Sequence, residues 1–165
     1  MTLKDDLLKD IEETRGRFHA LLDSVPESEY TRQSGNAAWT VGDVLYHVAL
    51  GPRAIVLEGW MIVHARRLFQ FVMRHFPSKG FNRANAWFGR REPRRLNRAG
   101  LGNAYENGHA ALRSALMRMR EQDFARSVVY PADLEAMLAG EVSVERLFRY
   151  AKDHFEAHAA QIIRR

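Results

Sequence analysis

The sequence predicts an all-α fold, an antiparallel bundle of four helices, and three observations carry that expectation. Apolar residues recur at helical spacing in four separate stretches. No stretch shows a convincing strand alternation. Each helical stretch carries one narrow apolar stripe, so each has one face to bury and one for water. A chain of 165 residues is read as one domain, 1–165, large enough to bury a core without staples.

The first helix follows Leu3, Leu7, Leu8, Ile11, Phe18, Leu21, Leu22 and Val25, and Pro26 stops it. After the polar segment Thr31 to Asn36, Thr40 and Asp43 form a capping box that opens the second helix. Its stripe runs through Val44, Leu45, Val48, Ile55, Met61, Leu68 and Phe76 to Pro77, with a kink expected at Gly51-Pro52. The third stripe is Tyr105, His109, Leu112, Leu116 and Met119. The fourth opens at Ser143 as N-cap and follows Val144, Leu147, Phe148, Ala151, Phe155, His158 and Ile162.

Composition narrows the chemistry. With no Cys there is no disulfide, no zinc ribbon and no thiol nucleophile belonging to the protein. The charged start Met1-Thr2-Leu3-Lys4-Asp5-Asp6 reads neither as a signal peptide nor as a membrane anchor, and no apolar run approaches the ~18 residues of a spanning helix. A soluble, cytoplasmic protein is expected.

His154 and His158 lie four apart on the fourth helix, about one turn, which suits two ligands on one metal ion. A metalloprotease motif would need Glu directly after the first His, and Phe155 stands there. His47 lies roughly 10 Å into the second helix. If the second and fourth helices run antiparallel, all three histidines reach one level of the bundle. One such His is more simply a hydrogen-bonded core residue; three at matched depth favour a metal with an open position for water or substrate. His109 could approach as a fourth ligand, an acid–base group or a partner behind a ligand ring, though a hydrogen-bonded core role is the favoured reading. His64 and His75 fall roughly 25 Å or more from His47 along the helix. His19 is off its stripe and expected in solvent. Asp43 and Tyr150, each one turn before a candidate ligand, could touch the site, although a cap and a packed core ring account for them.

Residues 77–100 carry seven basic side chains, Lys79, Arg83, Arg90, Arg91, Arg94, Arg95 and Arg98, against Glu92, a local charge of +6 in a chain of +5. Phe81, Trp87 and Phe88 are interleaved with them. The favoured reading is a solvated loop with its aromatics against the bundle. Behind it stand an anion clamp, in which some of Arg90, Arg91, Arg94, Arg95 and Arg98 grip an acidic cosubstrate, and nucleic-acid binding.

Trp39–His47 (WTVGDVLYH), Ser143–Leu147 (SVERL) and His154–Ile162 (HFEAHAAQI) together resemble the DinB/YfiT-like family of metalloenzymes. The resemblance covers most of the chain. It implies a four-helix bundle of up-down-down-up connectivity, from which this chain departs by its basic loop between helices 2 and 3. It also implies a divalent metal, zinc or nickel before manganese or iron, held by His47, His154 and His158. Better understood relatives join a low-molecular-weight thiol to an electrophile, so a metal-dependent thiol transferase is expected. The alternatives are a metal-dependent hydrolase, and a binding protein for nucleic acid in which the metal is not catalytic. Expected partners are a small-molecule thiol, a small electrophile and a second copy of the chain in a homodimer, with no membrane; nucleic acid is not favoured.

Overall fold

The computed structural model describes residues 2–75 and 97–163. Among these residues five α-helices and one small sheet follow in the order α1 (Leu3–Ser24), α2 (Val41–His64), α3 (Arg66–His75), α4 (Arg98–Arg118), β1 (Ser127–Tyr130), β2 (Gly140–Ser143) and α5 (Val144–Ile163). The expected caps form. Asp43 N–H donates to Thr40 Oγ1 at 3.2 Å and Thr40 N–H to Asp43 Oδ2 at 2.8 Å, which satisfies two backbone donors at the head of α2. Thr2 and Asp5 do the same for α1. Arg146 N–H donates to Ser143 Oγ at the head of α5.

Side-chain contacts give the helix directions. Along α1 and α4 the partners run in opposite senses: Lys4 Nζ reaches Met117 O, Arg15 reaches Glu106 and Arg98 reaches Val25 O. Along α1 and α5 they run together, with Asp10 beside Arg149 and Arg17 against Glu156. α2 is parallel to α4, because Gly108 abuts Pro52 and Gly59 abuts Met119. It is antiparallel to α5, because Gly51 abuts His154 and Gly59 abuts Phe148. The four long helices are therefore up, down, down and up, as the family resemblance implies. α1 and α2 each pack on both α4 and α5 and so stand at opposite corners. The core has two parts, one around Leu112, Leu116, Leu147 and Phe148, the other around Phe18, Leu45, Leu101 and Phe155. Burial of each such side chain contributes about 1.5–3 kcal/mol.

Two expectations need correction. The second helix is continuous through Pro52; it ends at His64, and α3 departs at 116° from its axis. Pro52 costs one backbone bond but sits buried on α2, where packing holds the helix. The break falls instead at Ala65, and it lets Phe69 and Met73 turn inward while Leu68 and Phe71 stay exposed. The second correction is the sheet. β1 and β2 pair antiparallel with Val128 opposite Val142, and both side chains are buried. Four residues per strand leave too little alternation to read in the sequence. Gln70 of α3 covers the free edge: its amide donates to Val129 O at 3.0 Å and accepts from Val129 N–H at 2.7 Å. Among the described residues no single helix is long and apolar enough to cross a membrane.

Candidate metal centre

Antiparallel packing of α2 against α5 brings His47, His154 and His158 together, with one ring nitrogen of each within 4.8 Å of the others. His47 Nε2 and His154 Nε2 are 2.9 Å apart, and the three ring centroids lie 4.6 to 4.9 Å from one another. The backbone makes this proximity possible at Gly51, one turn after His47. A Cβ there would stand 3.3 Å from both Cε1 and Nδ1 of His154.

The segment before α2 closes one side. Trp39, buried, lies tilted on the His47 ring at 4.7 Å and stacked on the His158 ring at 5.9 Å. Gly35 N–H donates to Gln161 O at 2.7 Å, an approach so tight that a Cβ at Gly35 would sit 3.1 Å from that oxygen. Gln161 in turn accepts from His158 Nδ1–H at 3.3 Å, which leaves Nε2 of His158 with its lone pair.

Electrostatics suit a cation. Burial, then the neighbouring His158, push His47 down to about 3. Burial also lowers His154 well below the ordinary histidine range, helped by His47 and His158, and it lowers His158 against the opposing pull of Gln161. All three imidazoles are therefore neutral near pH 7, the form that ligates. Three neutral nitrogen donors converging on one point, with no cation among them, fit a divalent metal ion.

A cavity of about 500 Å³ opens beside His47 and His154, between α2, α3, the β1–β2 connection and α5. Its walls are mostly apolar, with Leu50, Met61, Phe69, Val72, Met73 and Leu138 among them. Four polar groups interrupt the wall. Tyr130 donates to Glu58 Oε2 at 2.6 Å, and burial and the neighbouring Glu135 raise the Tyr150 hydroxyl. Burial raises the Glu58 carboxyl, a shift opposed by the Tyr130 bond and reinforced by Glu135.

The other expected residues fall elsewhere or prove structural. Tyr150 does contact the site, its ring 5.4 Å from that of His154. Asp43 is occupied in the α2 cap. His109 is not grouped with the triad: it faces α1, with Nε2 3.4 Å from Glu12 Oε1, because the stripe of α4 is shared between α1 and α2. His19, expected in solvent, is half-buried and bonds Glu106 at 2.6 Å. His64 and His75 are exposed on α2 and α3. Lys79, Arg83, Arg90, Arg91, Arg94 and Arg95 lie outside the described residues. Arg98 does not join the triad; it caps the end of α1 through Val25 O, beside Asp23. Sequence reasoning missed Trp39 as a shield, Gln161 as a histidine partner, and the cavity pairs. Glu58 alone carried a signal, as the lone acid in the otherwise apolar run from Ala54 to Val63.

The sequence profile of the DinB superfamily matches residues 10–162. No curated protein is significantly similar in sequence. Among solved structures, the mycothiol-dependent maleylpyruvate isomerase superposes with a TM-score of 0.71 at 15% identity, over 99% of this chain and 61% of its own. This chain thus spans less than two thirds of the isomerase. YfiT from Bacillus subtilis, described as a probable metal-dependent hydrolase with an unusual four-helix bundle topology, gives a TM-score of 0.69 at 17% identity, over 96% of this chain and 83% of its own. At these identities the likeness bears on the fold.

Proposed function

The chain belongs to the DinB superfamily, and from that membership we propose that it is a divalent-metal-dependent enzyme, a transferase joining a low-molecular-weight thiol to a small electrophile. The observation that carries the reading is the imidazole triad standing at the side of a 500 Å³ apolar cavity, a volume suited to a small organic molecule. His47, His154 and His158 would hold the ion, zinc or nickel before manganese or iron. A divalent cation there supplies the positive charge that keeps a thiol as its thiolate near neutral pH.

The chain's own residues have separable tasks. The three imidazoles are neutral beforehand, so no proton has to leave when the cation enters. Gln161 fixes the ring of His158, Trp39 keeps water from two of the rings, and the apolar wall takes up the body of the electrophile. The chain has no Cys, so the thiol arrives as a substrate. The likeness to a mycothiol-dependent isomerase supports that choice. A specific observation favours a second reading, hydrolysis: the Glu135 carboxylate, in the cavity wall and near enough to His158 to raise it, can accept a proton from water.

The test has two stages. Elemental analysis of untagged protein should give one divalent ion per chain, and His154→Ala should abolish it while circular dichroism stays helical. Wild type that binds none of Zn²⁺, Ni²⁺, Mn²⁺ or Fe²⁺ in calorimetry would sink the proposal. Loaded protein incubated with a thiol panel and a chlorinated aromatic or epoxide should form adducts faster than metal-free protein. Metal-dependent cleavage of esters or amides without any thiol adduct would install the hydrolase reading instead.

A further inference from the structure

The cavity carries chemistry that the triad does not use. Its charged groups among the described residues are Glu58 and Glu135, and no Lys or Arg lines it. Neither carboxylate forms an ion pair with a described residue; Glu58 takes the Tyr130 hydroxyl instead, and Glu135 accepts from Met137 N–H. A carboxylate accepts at about four lone-pair positions, so both retain capacity. Acids on an open surface would say nothing. These lie in the wall of a cavity that opens on His47 and His154, and α2 sets the distance of one of them: Glu58 is eleven residues past His47, roughly 16 Å along the helix. A ligand that reaches the histidines and fills the cavity therefore presents its far end to Glu58.

We propose that the acidic wall of the cavity recognises a protonated amine, so that the substrate is a small apolar molecule bearing an ammonium group, with Glu58 and Glu135 as its specificity-determining residues. The inference rests on the reading of the cavity as the substrate site. Negative charge with no counter-charge among the described residues of an apolar wall is costly, and a ligand cation removes that cost while completing the hydrogen bonds. The Tyr130 hydroxyl holds Glu58 in place and Met137 N–H holds Glu135, and the rings of Phe69, Tyr130 and Tyr150 offer aromatic faces that also attract cations. A ligand carboxylate in the same place would meet two like charges and no counter-charge from the described wall.

The experiment uses metal-free protein, so that an amine cannot bind through the ion. Binding of 4-phenylbutylamine, 4-phenylbutanol and 4-phenylbutyrate is measured by calorimetry on wild type, Glu58→Gln and Glu135→Gln, each checked for helicity. The amine should bind tightest and the acid weakest. Each substitution should weaken the amine by about 10- to 100-fold, the range of a hydrogen bond to a charged group, and leave the alcohol unchanged. Should Glu58→Gln fail to fold, Tyr130→Phe takes its place, with a smaller loss for the amine alone. Equal or tighter binding of the acid overturns the proposal, as does amine binding that ignores both glutamates. Metal content is measured separately, so loss of the metal reading leaves this result intact, and the reverse holds too.

Discussion

Replacing Gly51 with Ala should push stability and metal affinity in opposite directions. Gly51 lies inside α2 with ordinary helical backbone, so helix propensity alone favours Ala by about 1 kcal/mol. For a chain of this size that corresponds to a rise in Tm of about 2–4 °C. The added methyl, however, stands 3.3 Å from Cε1 and Nδ1 of His154. The ring must retreat by a few tenths of an ångström, whereas ligand nitrogens tolerate about 0.2 Å around their bond length to a metal. Disturbed ligand orientation typically costs 10–100-fold in affinity. Metal-free Gly51→Ala should therefore melt at or slightly above wild type, and calorimetry should show Zn²⁺ or Ni²⁺ binding weakened by at least about tenfold. Affinity equal to that of wild type would refute the claim that the glycine makes room for the ligand ring.

Two further outcomes follow from the same geometry. His47 falls from 6.5 to about 3 on folding, so it stabilises the fold fully above pH 6.5 and progressively less as the pH drops towards 3. Metal-free protein should lose about 2 kcal/mol between pH 7 and pH 5 from this group alone, and His47→Leu should flatten that slope in urea titrations. A slope unchanged by the substitution would mean that the ring is solvated. Thr40→Ala should cost ~1 kcal/mol through the lost cap without altering metal affinity. Asp43→Ala should behave alike, and a metal defect confined to it would mean that Asp43 orients His47.

What could be read from the sequence is what local spacing determines. The caps at Thr40 and Ser143 are three-residue patterns, and the His154–His158 pair follows from a helix's turn. The third candidate ligand, His47, needed only the assumption that two helices run antiparallel. The cavity was beyond such reasoning, because Glu58, Tyr130 and Glu135 come from three separate elements with no common period. The turn at Ala65 was hidden for a related reason. No Gly or Pro marks it, whereas Pro52, which should have marked one, lies buried inside a continuous helix. His109 shows the opposite failure: a stripe says that a residue is covered, not by which neighbour.

His47 and His154 touch across 107 positions of chain. Closing so long a loop carries an entropic cost that is recovered only when α2 and α5 dock along their length, which places the event late in folding. A chain still being assembled owns only the His154–His158 pair, in water and titrating near 6.5. Competence to hold a cation thus arrives together with the last long-range contacts. Metal uptake by a refolding sample would time the completion of the bundle more sharply than helix content, which the separate segments can acquire on their own.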